Sequence, residues 1–580
     1  MDKLFCNPLN LEYRYQYIKG RRGPEFFREA ADPTCILFGE KYLLFPSMTG
    51  GFWYSDDLVD WRFRETPELP TYDYAPDVRE VAGQVVFCAS RRGTPAELWR
   101  SPDPLTVPFE RVSAPFGFWD PDLFCDDDGR VYLYWGCSNI DPLYGIELDP
   151  ETLVPVGEKV ELVAQDINRH GWERKGENNH MPVPRTEQER IAAEKRGYTP
   201  WVEGAYMTKN NGTYYLQYAA PGTQYNTYSD GVYTSKDPLG PFEYQASNPF
   251  SSAPGGFMQG AGHGSTFKDK HGDWWHVSTM RISVRGSFER RLGLWPCGFD
   301  DDGVMYCDQN FACLPQGVCE EPREAGHRVG PAMMLLSKGA LASASSAGEG
   351  HGARLATDEN CRTWWAAAGD DPEPWLELDL GAVKHVEAVQ VNLADEGIRR
   401  PEPNGCDDAL LEEHGRVTYP AQSTSFLLEG SADGSSWEAL YDGNEHPGDR
   451  THEFVVLDET RDLRFVRVRD FGIAMGGVAA VSGLRVFGHG DGPLPEDVEE
   501  AVIGRSEDGM NILLHWDAVE GAQGYNVRYG TEPDKLYMSW QVDEGTMLDL
   551  TTANAGQRYY LAIDSYNESG VTPGKVLTIA

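Results

Sequence analysis

Short apolar runs alternate with turn-forming clusters along this chain, and over the first 320 residues one spacing keeps returning. Asp120-Pro-Asp-Leu-Phe-Cys, a turn at Gly129 and Val131-Tyr-Leu-Tyr form one unit. Glu203-Gly-Ala-Tyr-Met-Thr, Gly212 and Tyr214-Tyr-Leu-Gln-Tyr form a second, and His263-Gly-Ser-Thr-Phe-Lys, Gly272 and Trp274-Trp-His-Val a third. In all three the leading residue stands nine positions before the turn glycine and twelve before an aromatic. Asp32-Pro-Thr-Cys-Ile-Leu-Phe leads into Tyr42-Leu-Leu-Phe, and Pro76-Asp-Val into Val85-Val-Phe, through shorter turns. Repeated strand–turn–strand units predict radial repetition, with the leading polar residues meeting at a shared axis.

Smaller signals fit the same plan. Ser55-Asp-Asp-Leu-Val-Asp-Trp, Ser101-Pro-Asp-Pro-Leu-Thr-Val-Pro-Phe and Ser235-Lys-Asp-Pro-Leu-Gly-Pro-Phe read as turns before an outermost strand. Asp126-Asp-Asp-Gly and Asp300-Asp-Asp-Gly are hairpin turns that lack the downstream glutamate of an EF-hand loop. The interval between units nearly doubles from Asp120 to Glu203, and the extra segment runs from about Asp166 to Pro200. It predicts a short helix opened by a capping box at Thr186 and Glu189, and its place before Glu203 predicts either a pocket wall or a surface loop.

From about residue 326 the pattern changes to longer alternating strands such as Trp375-Leu-Glu-Leu-Asp-Leu-Gly, Phe465-Val-Arg-Val-Arg and Leu484-Arg-Val-Phe-Gly. A Gly-, Pro- and acid-rich stretch over 491–500 separates these from a last set that includes Leu514-His-Trp and Tyr559-Tyr-Leu-Ala-Ile. The chain is therefore expected to be all-β: a five-bladed propeller over 1–325, a jelly roll over 326–490 and an immunoglobulin-like sandwich over 491–580.

Charge narrows the function. With 51 basic and 91 acidic residues the net charge is −40, which argues against nucleic acid and anionic membranes, since both need a basic footprint. The 11 cysteines include no C-x-x-C pair, and Cys88, Cys125 and Cys137 lie in apolar runs, so free thiols are expected rather than a disulfide framework or a zinc site. No apolar run reaches membrane-spanning length, and the first residues lack a signal-like apolar stretch. A cytoplasmic location is expected if residue 1 is the natural start.

Three carboxylates at a propeller axis, Asp32, Asp120 and Glu203, suit hydrolysis of a glycosidic bond. One acid must protonate the leaving oxygen while a carboxylate across the sugar activates water. Among 16 tryptophans, Trp53, Trp119 and Trp201 are the candidates for stacking on a sugar, although β-rich cores use the same residues. Glu173, inside the extra segment, is a competing acid.

Ala31-Asp32-Pro33, Trp119-Asp120-Pro121, Glu203-Gly204 and Gly262-His263-Gly264-Ser265, in that order, make the first 320 residues resemble the five-bladed propeller of glycoside hydrolase family 43. The resemblance implies an inverting mechanism with Asp32 as base, Glu203 as acid, and Asp120 keeping the acid protonated. It also implies an arginine, matched here to Arg281, that contacts substrate and steadies Asp120. It places His263 beneath the sugar, near a bound ion or water.

Trp375 with Asp379-Leu-Gly, and Ser431-Ala-Asp-Gly-Ser-Ser-Trp437, make residues 336–490 resemble a discoidin-type (coagulation-factor type C) module. That resemblance implies a possible structural Ca2+ around Asp358, Asn360 and Thr363, with Arg485 standing where related modules often carry an acidic ligand. Trp516 and Gly524-Tyr525 make residues 498–580 resemble fibronectin type III.

The expected protein is an inverting, exo-acting hydrolase that removes a terminal pentose or furanose from oligosaccharides and requires no cofactor for its chemistry. α-L-Arabinofuranosidase comes first, with β-xylosidase or β-galactofuranosidase/galactosidase as alternatives. Two other classes compete. A non-catalytic sugar-binding propeller would have lost a carboxylate, and a phosphorylase would gather Arg281, Arg285, Arg290 and Arg291 around phosphate.

Overall fold

Alternate residues of a strand point to opposite faces, and here both faces are buried, which is why the strands read as continuous apolar runs rather than as alternation. Leu43 and Phe45 face one apolar cluster with Val78, Val85 and Phe87. Tyr42 and Leu44, which alternate with them in sequence, face another with Trp275, Val277 and Leu292. Val131 and Leu133 against Tyr132 and Tyr134 divide in the same way. Each strand thus contributes to the two gaps on either side of its sheet.

The computed structural model describes the chain except residues 1–2, 21–22, 48, 70–73, 92–93, 182, 197–198, 287, 319–329, 403–406, 408, 410, 412–415, 447 and 580. The expected boundary at 325/326 lies outside the described residues. Five four-stranded antiparallel meanders run from Thr34 to Cys307. Their innermost strands are Thr34–Phe38, Asp77–Val81, Asp122–Cys125, Glu203–Asn210 and Gln259–Lys268. Each touches the next in that order, and the fifth returns to the first. The closed cycle is a five-bladed β-propeller, with one apolar cluster in each of the five gaps between blades.

Three blades share the turn that precedes the outermost strand. The N–H of Asp57, Asp103 and Asp237 donates to Ser55, Ser101 and Ser235 Oγ, two residues back, at 3.0–3.2 Å. Each aspartate then accepts the N–H two residues on, from Val59, Leu105 and Leu239, at 3.0 Å. These are serine and aspartate turns doing the work of a backbone turn.

A hairpin, Arg14–Gly20 with Gly23–Glu29, precedes the first blade and pairs with Arg416–Thr418 of the second domain. That domain is built on an eight-stranded sheet containing two long strands, Trp375–Leu393 and His452–Gly472. Beyond it, a three-stranded sheet (Ala501–Arg505, Ile512–Trp516, Met547–Leu550) faces a five-stranded one across a shared apolar core. Buried polar groups tie the parts together. Arg28 bonds Asp449 at 2.6 Å, and Arg485 bonds Glu359, Gln390 and the Cys313 carbonyl.

The extra segment between the third and fourth blades is anchored at both ends of its course. Trp172 fills the gap between those blades. Glu173 is fully buried and accepts the Tyr218 hydroxyl at 2.6 Å and the Asp166 N–H at 2.6 Å, with His170 Nδ1 2.8 Å away. It is a structural anchor, not a competing acid. Gly171 N–H donates to the Ala553 carbonyl and Ala555 N–H to that of Arg169, so the C-terminal sandwich holds this segment from outside. The helix Glu187–Arg196 opens with the reciprocal Thr186–Glu189 capping box. Among the described residues nine cysteines are free thiols, and no helix is long and apolar enough to cross a membrane.

Candidate active site

In every blade the residue two positions before the regular pairing of the innermost strand lies in the left-handed region: Asp32 (φ 46°), Ala75 (48°), Asp120 (47°), Gly204 (62°) and His263 (53°). For a residue with a Cβ this conformation is strained and persists only where the surroundings enforce it. A hydrogen bond from the leading residue's own N–H does so in four blades. Asp32 donates to Thr279 Oγ1 at 2.9 Å, Ala75 to Ser47 Oγ at 2.8 Å, Asp120 to Ser90 Oγ at 2.8 Å, and His263 to Asp230 Oδ1 at 2.7 Å.

The fourth blade differs. Its left-handed position is Gly204, where a Cβ would lie 2.7 Å from the His263 ring, so glycine is required on two counts. Glu203 therefore stands one residue ahead of the register that sequence spacing suggests, and a bulge between Glu203 and Tyr206 absorbs the difference. The nine-residue spacing is shared because the longer inner strand of this blade offsets its two-residue turn.

The axial residues meet around His263. Its Nδ1 lies 3.4 Å from Asp32 Oδ1 and 3.8 Å from Asp120 Oδ2. Asp120, Glu203 and Cys137 place ligand-type atoms within 4.8 Å of one another. Asp32 is buried, which disfavours its charge, but Arg290 Nη1 at 3.1 Å, His263, and the Ser47 hydroxyl at 2.8 Å outweigh burial and hold its carboxyl below the usual range. Asp120 goes the other way. Burial, and then the charges of Glu203 and Asp32, push its carboxyl up against the opposing pull of His263. Burial also opposes the imidazolium of His263, yet Asp32, Asp120 and Glu203 raise it overall. Two carboxyls with environments that push them apart are the usual mark of separate acid and base duties. Glu203 accepts the Tyr228 hydroxyl on Oε1 at 2.7 Å and the Cys137 thiol on Oε2 at 3.2 Å.

Not every expected residue joins this cluster. Arg281 bonds Glu177 Oε1 at 2.6 Å, Gln259 Oε1 at 2.9 Å and the Gln224 carbonyl at 2.8 Å, and no axial carboxylate. It lines a polar cavity of about 620 Å³ where blades four and five meet the other two domains. Arg290, from the buried strand Arg290–Phe299, is the arginine that reaches an axial carboxylate, and it is shared with Glu29. Trp53 is 1 % exposed and packs against Tyr13 and Phe63 in the gap between blades one and five, so it belongs to the core and cannot stack on a sugar. Trp119 and Trp201 are half-buried and immediately precede Asp120 and, two residues on, Glu203.

The four arginines of the phosphate-cluster reading are dispersed. Arg281 goes to Glu177, Arg285 to Glu396, Arg290 to Glu29 and Asp32, and Arg291 to His452. In the second domain Asp358 is exposed and accepts Thr363 Oγ1 and Asn360 N–H within its own loop, while Arg485 pairs with the adjacent Glu359. Among the described residues, neither Asp358 nor His263 belongs to a close three-ligand group of the kind formed by Asp120, Cys137 and Glu203.

Ser47, Ser90, Cys137, Tyr228 and Arg290 were the site residues that spacing did not single out. The first three had a readable signal, since they follow the second strand of consecutive blades at one offset. Arg290 had only an unexplained charge in an apolar strand.

Residues 27–305 match the family model of glycosyl hydrolases family 43, and residues 355–468 match that of the NedA-like, galactose-binding domain. The propeller is thus a family 43 glycoside hydrolase domain, and a galactose-binding-like domain follows it. Among curated proteins, a xylan 1,3-beta-xylosidase of Vibrio sp is 24% identical over 43% of this chain and 48% of its own length. Beta-D-galactofuranosidase xynD of Aspergillus niger is 27% identical over 28% of this chain and 37% of its own length. The chain spans about half or less of these relatives. Among solved structures, the GH43 BlXynB protein of Bacillus licheniformis is 16% identical, with 99% of this chain and 91% of that one covered at a TM-score of 0.40.

Proposed function

We propose that this protein is an inverting, exo-acting glycoside hydrolase that removes a terminal pentose or furanose residue, with α-L-arabinofuranoside as the first substrate to try. The observation that carries the mechanism is the opposed state of the axial carboxyls: Asp32 held ionised by Arg290 and Ser47, and Asp120 beside Glu203 held toward protonation. In this reading Asp32 draws the proton from water, Glu203 delivers one to the leaving oxygen, and Asp120 stands beside Glu203 as its partner carboxyl. The relatives' names support this choice of first sugar. One acts on a pentoside and the other on a furanoside, and arabinofuranose is both.

In this reading side chains of the propeller take the proton from water and give one to the leaving oxygen without a cofactor, so activity is expected to survive exhaustive chelation. The deciding experiment is a screen of wild type and Glu203→Ala on aryl α-L-arabinofuranoside, β-D-xyloside, β-D-galactofuranoside and β-D-galactoside. One sugar should be released, with inverted anomeric configuration by NMR. Glu203→Ala should lose far more rate on oligosaccharides than on aryl glycosides, whose good leaving groups need little protonation. Retention of configuration, or a uniform loss across leaving groups, would remove Glu203 from the role of acid.

A further inference from the structure

Ser47, Ser90 and Cys137 each stand two residues past the second strand of blades one, two and three, which end at Phe45, Cys88 and Trp135. Each hydrogen-bonds an axial carboxylate, and Cys137 faces Asp120 as well as Glu203. Ser47 donates to Asp32 Oδ2 at 2.8 Å, Ser90 to Asp120 Oδ1 at 3.3 Å, and Cys137 Sγ to Glu203 Oε2 at 3.2 Å. One repeated loop position therefore serves all three carboxyls, and the third copy carries sulfur in place of oxygen.

We infer that Cys137 is the positioning residue of Glu203, holding its carboxyl in place through a thiol that favours the carboxylate less than a hydroxyl would. The difference between the copies matches the difference in duty. Asp32 has to be ionised, and it receives a hydroxyl and a guanidinium. Glu203, on the reading proposed above, has to arrive protonated, and hydrogen bonds donated to a carboxylate oppose that. A thiol is a weak donor, so it fixes the geometry at little cost to the proton. The Tyr228 hydroxyl already meets the other oxygen, Oε1, at 2.7 Å, and a serine at 137 would add a second strong donor. Burial, and then the charges of Asp120 and Glu203, hold the thiol itself well above its usual range, so it stays S–H.

The test uses the full chain and two independent readouts. Cys137→Ala should lower kcat about 10- to 100-fold on glycosides with poor leaving groups, as expected for a misplaced acid, with KM and the rates on activated aryl glycosides little changed. Cys137→Ser should recover kcat at low pH but move the alkaline limb of the profile to lower pH, which a merely structural role would not do. The second readout needs no turnover: labelling of Cys137 by iodoacetamide, followed by mass spectrometry. Labelling is read above the alkaline limb of the profile, where Glu203 on this reading is ionised, so that Glu203→Gln removes a charge that opposes thiolate formation and should speed labelling about tenfold. An unaltered leaving-group dependence in Cys137→Ala, or labelling indifferent to Glu203→Gln, would overturn the inference. Wild type that turns over no glycoside would sink the functional reading instead, and the labelling would still decide the contact.

Discussion

Arg290 shows how one side chain sets the chemistry of another. Its guanidinium is buried between Glu29 and Asp32, and a buried charge is stable only when paired and hydrogen-bonded. Its effect on Asp32 has a definite sign. Arg290 lowers the Asp32 carboxyl, so Asp32 is ionised, and competent as a base, down to unusually low pH. Arg290→Met removes that positive charge, and the acid limb of kcat/KM is expected to move to higher pH and narrow the bell from below. A pH profile of wild type and variant checks this, and an acid limb that stays in place or moves down would mean that another group controls it. Sequence gave no way to choose Arg290 over Arg281. Both are arginines in fifth-blade strands, and only the fold sends one to the axis and the other to an outer cavity.

At the level of the element, the recurrent device is a single left-handed residue at the start of each inner strand. Gly204 and Gly129 make a matched pair for testing it. Both have positive φ, but a Cβ at Gly204 would meet the His263 ring and Cα, whereas nothing lies within 4 Å of one at Gly129. Gly129→Ala is expected to cost about 1 kcal/mol, from backbone strain alone, with activity kept. Gly204→Ala should cost more, about 1–3 kcal/mol, and should lower kcat because His263 has to move. Thermal unfolding and turnover of the two variants, side by side, separate strain from displacement. The leading residues Asp120 and His263 were visible as repeats because their turns and strands keep a common spacing, and Asp32 because the same scheme recurs there with a shorter turn. In the fourth blade the strand is longer and the turn shorter, so the spacing agreed while the register did not.

The whole molecule behaves as three domains with polar locks between them. Arg485 reaches from the second domain to the Cys313 carbonyl of the propeller side while pairing with Glu359. The extra segment that carries Arg174 is held by the sandwich through Asn511 and the Thr551 carbonyl. Such connections predict one cooperative calorimetric transition for the intact chain. Arg485→Ala leaves a largely buried Glu359 without its partner and is expected to cost about 3–5 kcal/mol, and the single transition should split as the second domain uncouples from the propeller. A variant that unfolds in one transition at the wild-type temperature would show that the lock carries no stability.

Sequence by itself determined the all-β character and the repeated blades, because a strand buried on both faces has to be apolar at every position and a tight turn has to carry glycine. It also singled out Asp32, Asp120, Glu203 and His263 as the polar residues that lead the repeated units. Tertiary structure decided what those residues touch. It placed Trp53 in the core, Glu173 in an anchor and Arg281 away from the axis, and brought Arg290, Ser47, Tyr228 and Cys137 to the carboxyls. The physical reason is range. Turn chemistry and strand periodicity are local and leave a trace in neighbouring residues. Electrostatic partnership depends on distances of about 3 Å between blades, and such distances are set only when the ring closes.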